Sequence, residues 1–252
     1  MAFDLNNFVI DRIVRGVALS QKDDSVLFSI NQIQNASLNC ASESTDAVDA
    51  LGTPIATFYR AKSAEFSAEN ALFDMQLMAT QLGTKKKIAS SASKITVPAM
   101  ETFTVVEGGK YDLKHTPKVA PTEIYALNGD STFGVKYAKG TAASVAEFAV
   151  SGKSISLPTG IAVGTEMFVM YEYETENAVE VVNSATEFPV GCKFVMEVLG
   201  CDVCDQTNLI YAYVIFNNFK LSPDFDWSIA TDGSHPFSGK AQQDFEKRSL
   251  VA

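Results

Sequence analysis

The sequence predicts a mainly β protein: a sandwich or barrel with one flanking α-helix and a small β-domain inserted into it. Three observations carry this reading. Apolar and polar residues alternate along much of the chain, as in half-buried strands. Turn residues recur at short intervals between residues 107 and 160. A helical apolar spacing is clear in one segment only, about Ala68 to Leu82.

Residues 8–19 read as a first strand or short amphipathic lead. Ser25–Asn39 is strand-like, with Val26, Phe28 and Ile30 on one face and Leu27 and Ile33 on the other. Its second half, Asn31–Asn39, is rich in amides and hydroxyls and almost uncharged, which suits a wet, weakly interacting surface. Ala41–Thr53 reads as a long acidic loop with Glu43, Asp46 and Asp49, and long loops in compact domains tend to be functional or disordered. Pro54–Phe66 resumes as a strand, so 25–66 forms a long hairpin with a projecting loop. In the helix, Leu72, Met75, Ala79 and Leu82 share a face with Ala71 and Met78 beside them; Ser67 is the expected N-cap and Gly83 the stop. Lys85, Lys86 and Lys87 then complement the helix C-terminus.

From Ile95 to about Thr175 short strands recur: Phe103–Val106, Glu123–Leu127, Gly134–Tyr137, Phe148–Val150, Ser154–Leu157 and Glu166–Tyr173. Turns such as Asn128-Gly129-Asp130 and Ser151-Gly152-Lys153 separate them. This block, 101–175, reads as a separate β-sandwich domain inserted into a host made of 1–100 and 176–252. The host resumes with strands Phe188–Val198 and Leu209–Phe219, the latter apolar on both faces. An alternating strand, Asp224–Ala230, and a polar tail from Thr231 through Gln243 close the chain. The tail reads as built to be placed rather than to react, a candidate contact between protomers if the chain assembles, in which case deleting 231–252 is expected to leave a folded but assembly-defective subunit.

Composition bounds the function. At 252 residues the chain buries a sizeable core, and 46% hydrophobic with 20% charged residues is ordinary for a globular protein. No apolar run approaches the ~20 residues of a membrane span, and no signal peptide is read at the start, so synthesis in the cytoplasm and no membrane binding are expected. The net charge of −10 and the pI of about 4.7 disfavour tight nucleic-acid binding, which needs clustered Lys and Arg. An acidic wall does let DNA pass without sticking, because like charges repel.

Chemistry is sparse. His115 and His235 are the two histidines, both in loop-like contexts without an adjacent nucleophile elbow. There is no P-loop, no G-x-G-x-x-G after a strand and no H-E-x-x-H. Glu172/Glu174 and Asp224/Asp226 alternate with apolar residues as on a solvated strand face. Cys201-Asp202-Val203-Cys204 has zinc-binding spacing, with Cys40, Cys192 or the histidines needed to complete four ligands. Small thiols in a turn are the simpler reading, and disulfides are not expected in the cytosol. No catalytic, cofactor-binding or metal residue is assigned, no cofactor is expected, and the chain is not expected to be an enzyme.

The order of elements resembles the tail tube proteins of long-tailed bacteriophages, a fold shared with contractile injection systems. The segments carrying the likeness are Thr57–Phe66 leading into the helix, and Tyr211–Phe219 leading into Asp232–Ala241. It covers roughly 1–100 and 176–252. The 101–175 block departs from the pattern; tail proteins often carry Ig-like decorations, and as a decoration it should face outward. The resemblance implies a virion structural protein in the tail, a major tail tube subunit. Its sheets would join in hexameric rings around a lumen for DNA, with the rings stacked head-to-tail, an arrangement that makes an open filament. The implied partners are other copies of the chain, tail terminator, baseplate or sheath proteins, and genomic DNA in transit. The 41–53 loop is the candidate to reach the next ring, and 31–39 the candidate lumen surface. The alternatives are another phage structural protein (a capsid decoration or head–tail connector), a soluble ligand-binding β-barrel, and a zinc-bearing module.

Overall fold

The protein is described by a computed structural model, which covers residues 7–203, 205–227, 230–231, 233–242 and 249–251. The chain opens with β1 (Phe8–Ser20), β2 (Val26–Ile30), β3 (Ile33–Val48) and β4 (Pro54–Asn70), then α1 (Met75–Gln81). It continues through β5 (Lys87–Ile88), β6 (Ile95–Thr104), β7 (Lys110–Asp112), β8 (Glu123–Leu127), β9 (Phe133–Lys139), β10 (Glu147–Ser151), β11 (Ser154–Ser156), β12 (Glu166–Thr175) and β13 (Val179–Glu180). It ends with β14 (Gly191–Asp202), β15 (Asp205–Leu221), β16 (His235–Ala241) and β17 (Ser249–Val251). Two compact units result: Met1–Lys86 with Val181–Ala252, and Lys87–Glu180. The architecture is mainly β, as the alternation of the sequence implies, with a single short helix among the described residues.

The first unit is one antiparallel sheet in the order β2-β1-β14-β15-β16-β4-β3, with β17 also paired to β15. Its two end strands, β2 and β3, are consecutive in sequence and separated only by Asn31 and Gln32. The sheet must therefore curl until its ends approach. At that closure Gly16 lies against Ile33 and Phe194; a Cβ on Gly16 would come within 2.8 Å of Ile33 Cδ1. Phe28, Phe66, Phe194, Phe216, Phe219 and Phe237 fill the interior with Leu77 of the helix. Leu209–Phe219 lies within β15 as expected. Ala212, Phe216 and Phe219 enter this core, whereas Tyr211 on the other face is exposed.

Five expectations are corrected here. Ala41–Val48 is not a loop but the outer half of β3, hydrogen-bonded to β4 through to Pro54; only Asp49–Thr53 turns. Small polar residues cannot pack a core, but their backbones pair as well as any. The helix starts at Met75, not near Ala68, because Ala68 is buried in β4 beside Phe237. Asp74, not Ser67, caps it, accepting from the N–H groups of Gln76 (2.8 Å) and Leu77 (2.7 Å). Gly83 does follow its end with φ +73°, where a Cβ would strike the Phe188 backbone. Pro223–Trp227 is not strand, and Ser228 and Ile229 lie outside the described residues. Finally, the polar tail contains β16, which is held between β15 and β4 and buries Phe237. It is an interior strand of the fold rather than a free extension; Asp232 and Gln243 of that segment lie outside the described residues.

The second unit is a seven-stranded arrangement, β6-β12-β8-β9-β10-β11-β7, with a core of Phe103, Ile124, Phe148, Ile155, Met167 and Val169. It begins before residue 101, since β6 from Ile95 pairs residue by residue with β12 through Thr175. Its two chain ends meet: Lys87 pairs with Glu180 in β5–β13, and their side chains form an ion pair of 3.4 Å. Glu101 is buried in it but satisfied. It accepts from Tyr111 Oη (2.7 Å), from the Lys114 N–H (3.0 Å) and from Tyr171 Oη. Burial pushes Glu101 up, yet these three donors outweigh it and hold the carboxyl below its usual range. Burial and the same carboxylate push both tyrosines up to about 12.

Candidate assembly surface

The β3–β4 hairpin leaves the core at the pair Cys40–Ala64 and continues to the turn at Asp49–Thr53. Eight residues of β3 beyond that pair make an arm of roughly 25 Å. The turn is fixed by the Asp49 carboxylate, which accepts from the N–H groups of Leu51 and Thr53 at 2.8 Å each. A bulge at Ala61 (φ 36°) shifts the register and adds local twist.

The arm is exposed on both faces and yet not wholly polar. Ser44 pairs with Tyr59 and Asp46 with Thr57 on one face; Thr45 pairs with Phe58 on the other. Tyr59 is 71% exposed, Phe58 57%, Ile55 72% and Leu51, at the tip, 91%. Large apolar side chains left this exposed on a two-stranded ribbon mark an interaction site. β3 is also a terminal strand of the sheet path, so among the described residues no strand pairs with it on the side away from β4.

At the arm's root the two faces differ. Leu38 lies opposite Phe66 on the core side. The outer side carries Ser37, Asn39, Glu65, Ser67, Ser238 and Lys240, which line a shallow groove. Lys240 Nζ reaches Glu65 Oε1 at 2.7 Å. Within Asn31–Asn39, Ile33 thus faces the core, while Gln34, Asn35, Ser37 and Asn39 are exposed. Further along the sheet Arg15 Nε contacts Glu197 Oε2 at 2.6 Å, and Tyr213 Oη donates to Glu197 Oε1 at 2.9 Å. The hydrogen bond from Arg15 holds the largely buried Glu197 below the ordinary carboxylate range.

The residues weighed for chemistry do not converge. His115 stacks on Tyr173 in the second unit, ring centroids 3.8 Å apart. His235 is buried in the first unit and bonded to Gln81. Cys192 is buried in the phenylalanine core, which pushes its thiol up to about 12; Cys201 is half-buried, Cys40 is exposed, and Cys204 lies outside the described residues. Among the described residues no three His, Cys, Asp or Glu side chains are grouped to hold a metal. Nor, among them, is any helix long and apolar enough to cross a membrane. Lys87 is engaged by Glu180 rather than by the helix. The apolar arm residues were missed from sequence because Phe58 and Tyr59 alternate as a buried strand would.

The first unit is thus a curled sheet whose long end strand, paired with β4 on one side, runs on into a projecting ribbon. The model of the YomU/Tube protein family matches residues 8–247, and the chain belongs to that family. It is a phage tube-like family of structural proteins, in keeping with the likeness to phage tail tube proteins. No curated protein matches the chain.

Proposed function

We propose that the chain is the major subunit of a phage tail tube, which closes into hexameric rings that stack head-to-tail around a DNA channel. One observation carries this reading beyond family membership: the bare, two-stranded arm with Ile55, Phe58 and Tyr59 exposed on it. An isolated ribbon of this length is not stable by itself and needs a partner surface. In a stack of identical rings the arm reaches the neighbouring ring, while the free side of β3 pairs with the next protomer and so removes the exposed edge. The hydroxyl- and amide-bearing outer face at the root, with Ser37, Asn39 and Ser67, fits a channel wall that DNA slides past. The second unit is then an inserted, Ig-like domain on the outside of the tube. Tail terminator, baseplate or sheath proteins are the further partners.

Negative-stain microscopy of the purified protein tests this. Rings or tubes are expected; monomers or trimers favour a capsid decoration or connector instead. A variant in which Ser44–Tyr59 is replaced by an Asn-Gly turn should keep its core and lose tubes. Tubes of normal length from that variant would sink the role given to the arm. The phenylalanine-filled interior of the first unit does not favour a ligand-binding barrel.

A further inference from the structure

His235 opens β16 at a closed corner whose hydrogen bonds depend on the charge of one ring. The side chain is fully buried. Its Nε2 lies 2.8 Å from Gln81 Oε1 on α1. The Gln81 amide is itself oriented, because its Nε2 donates to the Pro236 carbonyl at 3.3 Å. Gln81 Oε1 can only accept, so the ring hydrogen belongs on His235 Nε2. Nδ1 keeps its lone pair and receives the Asp74 backbone N–H at 3.4 Å. A second ring proton would sit on Nδ1 and meet that N–H donor to donor.

The ring also anchors an aromatic stack. Phe73 lies on His235 with centroids 5.0 Å apart, and Trp227 lies on Phe73 at 4.2 Å and 8°. Phe225 lies tilted beside the His235 ring at 5.8 Å. Among the described residues the charged groups named at this corner are acidic. The Asp74 carboxylate caps α1, Glu69 of β4 accepts from Ser234 Oγ at 3.0 Å, and Asp224 and Asp226 flank Phe225 and are exposed. Asp232 lies outside the described residues.

We propose that His235 is an acid-sensitive latch. Neutral, it ties β16 to α1 and holds the Phe73–Trp227 stack. Protonated, it releases this corner while the phenylalanine core stays closed. Burial holds the imidazole below its ordinary value of 6.5, and this outweighs the pull of Asp74 in the other direction. The closed corner therefore binds fewer protons than the open one. Its stabilisation is full above pH 6.5 and is lost as the pH falls below it.

Trp227 is the only tryptophan in the chain, so its fluorescence reports on this corner alone. Titrating the full-length protein from about pH 8 to about pH 5 should shift the emission with a midpoint below 6.5, at constant far-UV circular dichroism. The shift should vanish in His235→Gln. A flat wild-type titration, or the same shift in His235→Gln, overturns the latch. If His235→Gln shows no cooperative melt, His115→Gln decides, because His235 is then the only histidine. The ring titration of that histidine by NMR must share its midpoint with the fluorescence change; midpoints that do not coincide overturn the proposal.

Discussion

Phe66 is the centre of the larger core. Its ring lies 5.7 Å from Phe194, 5.8 Å from Phe216, 5.9 Å from Phe237 and 6.3 Å from Phe219, in tilted or edge-on geometries that aromatic quadrupoles favour. It joins β4, β14, β15 and β16 at one point. Phe66→Ala should cost about 3–5 kcal/mol in urea unfolding, since four rigid rings cannot collapse into the space left behind. A loss under about 1 kcal/mol would mean the core is not packed this way. Along β4, Ala64, Phe66 and Ala68 alternate inward, which was missed from sequence by starting the helix at Ala68. The partners of Phe66 come from residues far along the chain, and no local pattern pairs them. Arg15 and Glu197 are the same case: each reads as an exposed strand residue, and only the pairing of β1 with β14 brings them together.

At the level of elements, two strands changed the meaning of their segments. The outer half of β3 has the composition of a loop, because strand propensity reports packing and this stretch has none to make. Its backbone pairs with β4 all the same, and an acidic loop becomes a stiff arm. β16 reads as an inert tail because Gly239, Ser238 and Pro236 dilute its pattern. Yet Gly239 is required there: a Cβ would come within 2.4 Å of the Phe219 ring. Ending the chain after residue 230 would remove β16 and leave β15 and β4 unpaired along their shared side. Such a truncation should give insoluble or non-cooperatively melting protein, as judged by circular dichroism. A soluble, cooperatively folded truncation would show that β16 is dispensable.

For the whole molecule, the decisive point is where the chain leaves and re-enters the first unit. Lys87 and Glu180 sit side by side, so the second unit departs and returns through one two-stranded clasp. With its own core and its buried Glu101–Tyr111–Tyr171 network, 87–180 should fold when expressed alone and melt cooperatively. A disordered fragment would refute its standing as an inserted domain. The reciprocal excision, joining 86 to 181, should leave a first unit still competent to assemble if the second unit is an outer decoration.

The sequence by itself determined the mainly β class, the single helix, most strands of the second unit and the absence of familiar catalytic motifs. Those follow from periodicity and turn residues, which act over a few positions. Only the tertiary structure decided that Ala41–Val48 is arm rather than loop, that His235–Ala241 is an interior strand and that His235 bonds Gln81 across the fold. The arm is held by backbone pairing with the neighbouring β4, of which its small polar side chains give no periodic sign. β16 and the His235 bond depend instead on residues far away in the sequence, which leaves no period in either partner.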